Sequence, residues 1–353
     1  MGRTGKPSFL ALAFRCKEIH QSFVIATAGL HCRVPLIVVR RKGDSMQLTR
    51  IFAAVLLVAA TTGCSIRKIA VNKLGNALAS SGTTFTSDED PELVRDALPF
   101  SLKLIEGLLA ESPRHRGLLF AAASGFTPYA YAFLQQEADE IEDRDLARAT
   151  ALRRRARGLY IRARDYGIRG LEVKHPKFGE ALRHDPEAAV RAAGKVDVAL
   201  LYWTAASWGA AISVSKNNPD LVADQPIVEA LIDRALALDE KFDSGAIHSF
   251  LITYEASRNG APGDFAPRSR KHFDRAMQLS SGFQAAPLVS LAETVCVQTQ
   301  NRREFQSLLE RATAVDVNAK PEFRLANLVM QRRARWLLAR ADELFLETGN
   351  ENQ

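Results

Sequence analysis

Cys64 is the residue whose setting asks for the most specific chemistry. It lies in the stretch LTRIFAAVLLVAATTGCSIRK, Leu48 to Lys68, where Arg50 precedes an apolar core, Ile51 to Ala60, of about ten residues. A membrane-spanning helix needs roughly 20 apolar residues and a signal-peptide core roughly 7 to 15. The run is therefore too short to span and the right length for a signal. Small residues, Thr61, Thr62 and Gly63, lead to the cysteine. That order suits lipoprotein processing, in which the thiol takes a diacylglyceryl group and cleavage leaves Cys64 as the new N-terminus. Thr61 stands where such signals usually carry Leu, and the competing readings are a short buried helix or an uncleaved anchor. Ser65 rather than Asp follows Cys64, so the expectation is a lipid anchor on the periplasmic side of the cell envelope, in the outer membrane.

The other reactive residue types give no comparable pattern. His248 and Glu255 are seven apart and share a helical face, a spacing that could bring a base to a carboxylate. There is no G-x-S-x-G beside them and no H-E-x-x-H. His184, His272 and the remaining histidines show no metal-ligand spacing, so neither an enzyme nor a cofactor or metal is expected. Cys296, in LAETVCVQT, reads as a small core residue rather than a nucleophile. Cys16 and Cys32 lie upstream of the signal, and with Cys64 acylated no intramolecular disulfide can form in the mature chain.

Residues 1–45 show no clear amphipathic period and meet the signal at Met46, which would itself make a normal start. The expected organisation is an upstream segment, 1–45, arising from a gene-start error; a signal peptide, 46–63; a lipidated N-terminus and tether, 64–87; and a helical domain, 88–349. The chain carries 47 Lys and Arg against 40 Asp and Glu, a net charge of +7. Up to Gly63 there are nine Lys and Arg against Glu18 and Asp44, which leaves 38 of each sign from Cys64 onward. A neutral mature chain gives no electrostatic support for nucleic-acid binding, whose affinity rests on cationic contacts to phosphates.

The elements that would position any site are helices. From Cys64 onward Ala, Leu, Arg and Glu dominate and strand-like alternation is scarce. In SDEDPELVRDALPFSLKLIEGLLAESP, Asp90 is placed to cap and Pro91 to occupy the first helical position. Pro99 predicts a kink. Further helices are predicted at 116–142, 144–172, 196–215, 226–239, 243–258, 266–280, 285–298, 302–314 and 321–347. An Arg-Ala pair recurs in IDRALALDEKF, FDRAMQLSSGF and LERATAVDVNA, with Arg234, Arg275 and Arg311 spaced 41 and 36 residues apart. A period near 34 to 41 with a small Ala inside a helix predicts an all-α array of antiparallel helical hairpins, degenerate tetratricopeptide-like repeats.

The ordered blocks DEDPELVRDALPFSLKLIEGLLAESPRH, LLFAAASGFTPYAYAFLQQEADEIED, RARGLYIRARDYGIRGLE, LYWTAASWGAAISVSKNNPDLVADQPIVEALIDRALALDE, HFDRAMQLS and LANLVMQRRARWLLARADELFLE resemble the T-component family of TRAP transporters, the TatT-like lipoproteins. The resemblance runs from about Asp88 to Glu347. It implies a lipid-anchored helical protein that assembles as a homotrimer, docks a periplasmic solute-binding P-component and assists uptake of a small apolar ligand, without catalysis. The alternative is a lipid-anchored repeat scaffold for envelope assembly that handles no solute.

Three segments carry further expectations. Val198 to Val214 is 17 uncharged residues bracketed by Asp197 and Lys216, and its Ala, Ser and Gly content predicts a central buried helix rather than a membrane span. Tyr202, Trp203 and Trp208 on it, with Tyr129 and Tyr131, are the candidates for lining a ligand cavity. The acidic run Glu137 to Asp145 and the arginines from Arg148 to Arg164 predict a solvated face or inter-subunit rim rather than a phosphate site. In the last helix Leu325, Leu328, Val329, Trp336 and Leu344 form the predicted core stripe, which leaves Arg332, Arg333, Arg335 and Arg340 for rim contacts or solvent.

Overall fold

The structure, a computed structural model, describes residues 72–76, 82–258 and 260–346. Cys64, the predicted signal at 46–63 and the predicted upstream segment at 1–45 lie outside the described residues.

Ten longer helices make up the described region: α1 Pro91–Glu111, α2 Arg116–Ile141, α3 Leu146–Glu172, α4 Val198–Ser213, α5 Gln225–Leu238, α6 Ala246–Tyr254, α7 Phe265–Leu279, α8 Ala286–Cys296, α9 Arg302–Thr313 and α10 Arg324–Ala339. Two of them change pitch, with a π-helical stretch inside α2 at Tyr131–Gln135 and at the end of α8 at Ala292–Cys296. There is no strand among the described residues, so the fold is all-α as expected.

Local chemistry sets several boundaries. The Asp90 carboxylate accepts from the backbone N–H groups of Glu92 and Leu93, both at 3.0 Å, and satisfies donors that the first turn leaves free. Asp145, Asp264 and Asn301 cap α3, α7 and α9 in the same way. Pro99 does not divide α1, which runs unbroken from Pro91 to Glu111. The predicted helix at 243–258 begins only at Ala246, because Asp243, Ser244 and Gly245 have φ of +46°, +53° and +93°. A Cβ on Gly245 would stand 3.1 Å from Leu279 Cβ, so its left-handed backbone and the close approach of α7 both call for glycine. The predicted single helix at 321–347 is a 3₁₀ turn, Pro321–Phe323, then α10, then a short piece, Ala341–Leu344, beyond Arg340. Phe178–His184, Pro186–Val190 and Pro219–Val222 are short helices that no periodicity announced.

Three apolar clusters fill the domain. One joins α1, α2 and α3, a second is built on α4, α5 and α6, and a third on α8, α9 and α10. α4 is central, as its composition predicted: ten of its residues, from Val198 to Ile212, are buried, and it packs on α2, α3 and α5. Gly167 lets α3 come so close that an added Cβ would lie 2.2 Å from Thr204 Oγ1. The alanines of the three Arg-Ala pairs, Ala235, Ala276 and Ala312, are buried in their helix contacts. α2 is long and apolar enough to cross a membrane by length and composition, but 61% of its most apolar window is buried inside the domain. It is a core helix here.

The C-terminal helix departs from expectation. Arg332, Arg333 and Arg340 were predicted to face solvent or a rim, yet Arg333 is only 7% exposed. Its guanidinium reaches Asp139 at 2.8 Å and also pairs with Glu293. Arg332 forks onto Glu140 at 2.9 and 2.5 Å, and Arg340 reaches Asp143 at 3.2 Å. Of the four arginines only Arg335 is exposed. The acidic run therefore serves two helices, since Arg148 holds Glu137 and Arg153 holds Asp139 and Glu142 from α3. α10 closes back on α2 and α1, and Arg324 donates to the carbonyl of Ser87, in the turn before α1, at 3.0 Å. Trp336 is not fully buried: the guanidiniums of Arg333 and Arg340 lie over its ring at 4.4 and 5.0 Å. The cost of truncating a wholly buried Trp does not apply to it.

Candidate functional site

An open groove of about 940 Å³ lies between the end of α5 and the outer faces of α6 and α7. α5 stops at Leu238, where the extended backbone of Asp239 ends the helix. The left-handed turn at Asp243, Ser244 and Gly245 then reverses the chain into α6. This reversal sets Glu240 and Lys241 on one wall, facing Lys271, His272 and Arg275 of α7, with His248 at the base.

The groove is charged. Arg275 pairs with Glu240, and this hydrogen-bonded guanidinium holds the Glu240 carboxyl below its ordinary range. The ammonium groups of Lys241 and Lys271 are exposed and have no salt-bridge partner among the described residues. Beneath them His248 Nδ1 and His272 Nδ1 lie 2.8 Å apart. One ring must donate and the other accept, so at neutral pH the two are opposite tautomers. Glu240 Oε2 is 3.6 Å from His248 Nε2, and Glu255 Oε1 is 3.9 Å from His272 Nε2. Glu255 is also held by Arg258 at 3.0 Å and Arg268 at 2.6 Å.

The sequence spacing of His248 and Glu255 thus points to the right neighbourhood and the wrong partner. His272, 24 residues from His248 on another helix, is the group that His248 meets. No residue spacing within one helix could have shown that. The described residues include no group of three His, Cys, Asp or Glu placed to hold a metal.

Burial lowers the pKa of both imidazoles, and burial followed by the neighbouring His248 brings His272 down to about 4. An unfolded imidazole takes its proton near pH 6.5. Between those values the unfolded chain binds more protons than the folded one, so the stabilising contribution is complete above about pH 6.5 and is lost as pH falls toward 4. Replacing His272 with Gln should flatten this pH dependence by roughly 1–2 kcal/mol, after discounting for the part of the ring that meets solvent. Urea midpoints of parent and variant at pH 4, 5, 6 and 7 measure the difference, and parallel curves would show that His272 is not the titrating group.

The aromatic candidates lie elsewhere. Tyr129 and Trp208 are 7% and 1% exposed. Tyr129 packs against Phe133, and Trp208 donates from Nε1 to Asp224 at 3.1 Å beneath the Arg164 guanidinium. Tyr131, Tyr202 and Trp203 are part-exposed. Tyr131 reaches Met330 Sδ of α10 at 3.8 Å, and Tyr202 meets Trp203 edge to face at 5.0 Å and Phe242 at 5.4 Å. None of the five lines the charged groove. Cys296 is a buried free thiol whose pKa burial pushes up to about 12, which suits core packing rather than nucleophilic attack.

Comparison with known proteins adds two findings. A family model described as TRAP transporter T-component matches residues 87–345. A protein of Treponema pallidum (strain Nichols), named there as an uncharacterized protein, is 28% identical over 314 residues, which cover 84% of this chain and 96% of its own length.

Proposed function

We propose, from the premise that this chain belongs to the TRAP transporter T-component family and is thereby an accessory component of TRAP transport, that it docks a periplasmic substrate-binding P-component through the charged groove at α5, α6 and α7. The observation that carries this reading is the open groove with two exposed, unpaired ammonium groups, Lys241 and Lys271. Unpaired surface charges beside a concavity steer and orient a complementary partner more than they stabilise the domain that carries them. The partner's matching surface should offer carboxylates there.

Around that contact the proposal places a protein lipidated at Cys64 after removal of residues 46–63, held at the periplasmic face of the outer membrane. Its hairpins are degenerate tetratricopeptide-like repeats and it assembles as a homotrimer. If an apolar solute crosses the protomer, the part-exposed rings of Tyr131, Tyr202 and Trp203 are the ones able to meet it, whereas Tyr129 and Trp208 are occupied by packing. The charged lining of the groove favours protein docking there over passage of an apolar molecule. The second reading, a lipid-anchored scaffold with no solute handling, draws on the same lining.

The test is binding of a periplasmic substrate-binding P-component of the same TRAP system. The double variant Lys241→Glu, Lys271→Glu should weaken it at least about tenfold and reduce its salt dependence, because two attractive contacts become repulsive. Its thermal midpoint should match the parent's, since neither side chain is buried. A parent chain that ignores the P-component would leave the scaffold reading. A variant that binds as the parent does would move the docking surface off this groove.

A further inference from the structure

We propose that α1 pairs in antiparallel fashion with α1 of a second copy of this chain, through an apolar seam on its outward face. α1 is apolar on two sides. Its inner side, with Val94, Leu102, Ile105 and Leu109, is buried in the domain. Its outer side repeats at intervals of four, three and four residues through Leu93, Ala97, Phe100 and Leu104. Those large side chains are 57% exposed at Leu93, 74% at Phe100 and 38% at Leu104. Alternating steps of four and three are the seam spacing of two packed helices, and a surface helix that needs only one buried face has no use for a second.

The residues beside the seam choose the occupant. Asp96 and Lys103 are exposed on the same flank, seven apart and of opposite charge. In an antiparallel pair that sets Ala97 against Phe100 of the second copy and Leu104 against its Leu93, the small residue receives the large ring. Asp96 then stands opposite Lys103 of the second copy, and the twofold axis repeats the contact. In a parallel pair the same positions would face Ser101 and Leu108, which carry no charge. The helix is thus complementary to itself in one orientation, the condition for an isologous contact. Lys103 now lies 2.5 Å from Glu106, but its side chain is 70% exposed, and a solvated pair of that kind exchanges partners at little cost. Four apolar layers make an interface smaller than the ~1,600 Å² of stable complexes, so the contact is concentration-dependent. A twofold contact closes at two copies, and it doubles whatever assembly the rest of the surface builds.

The experiment is the mass of the full chain, purified in detergent, by light scattering across a concentration series, with the detergent contribution subtracted. Phe100→Glu should halve the mass at the upper concentrations and leave the helical circular dichroism and thermal midpoint unchanged. Asp96→Lys and Lys103→Asp should each weaken association by roughly tenfold, since each turns two attractive pairs into like-charge pairs. The double variant Asp96→Lys, Lys103→Asp should recover most of the loss, because the swap restores opposite charges only in the antiparallel register. A parent mass equal to that of Phe100→Glu at every concentration would overturn the proposal, and so would a double variant no stronger than the singles.

Discussion

Trp208→Ala should lower the free energy of unfolding by about 3–5 kcal/mol, the largest loss expected of any side-chain truncation on α4. The indole is 1% exposed and fills the cluster built on α4, α5 and α6. Three contributions leave together: apolar area returned to water, a cavity that the packed helices can only partly close, and the hydrogen bond from Nε1 to Asp224. Arg164, 4.8 Å from the ring centroid, also loses the face on which it lies. Trp203→Ala, five residues earlier on the same helix, removes an equal number of atoms from a part-exposed site and should cost less than half as much. Urea denaturation of the two variants side by side makes the comparison. Equal losses would mean that the two indoles are equally packed, against the burial found here.

Arg333→Met should cost about 2–4 kcal/mol and should uncouple the C-terminal helix from the middle of the chain. Breaking a buried pair by deleting one partner leaves the other charge without compensation, which is why such losses reach about 3–5 kcal/mol in fully enclosed sites. Two features moderate it here. Asp139 keeps Arg153 at 2.8 Å, and the Glu293 side chain is 35% exposed and can rehydrate. Arg333→Lys should recover little, because an ammonium cannot span Asp139 and Glu293 as the planar guanidinium does, and it stacks less well on Trp336. A double-mutant cycle with Glu293→Gln isolates the pairwise contribution: a coupling near zero would reduce Arg333 to a packing role.

These two residues also mark what could be read from the chain and what could not. The helical class was legible because caps and periodicity are local. Asp90 and Pro91 start α1 as their types require, and Val198 to Val214, without a charge, has no face to give to water. The three Arg-Ala pairs point to close helix contacts because Ala is the residue that allows them, and all three alanines are buried. Cys296 as a core thiol was legible on the same grounds, from its apolar neighbours and small size.

Partners across helices were not legible. Arginine on a helix surface is equally suited to solvent, a rim or a buried carboxylate, and only the return of α10 onto the acidic end of α2 decides among them. It places Arg332, Arg333 and Arg340 against Glu140, Asp139 and Asp143, each more than 190 residues away. His248 finds His272 rather than Glu255 for the same reason, since the left-handed turn at Asp243 to Gly245 sets how α6 lies on α7. The outer seam of α1 lies between these cases. Its spacing is in the sequence, but a stripe at helical period reads as core until the fold shows that the opposite face of the helix has already filled that role.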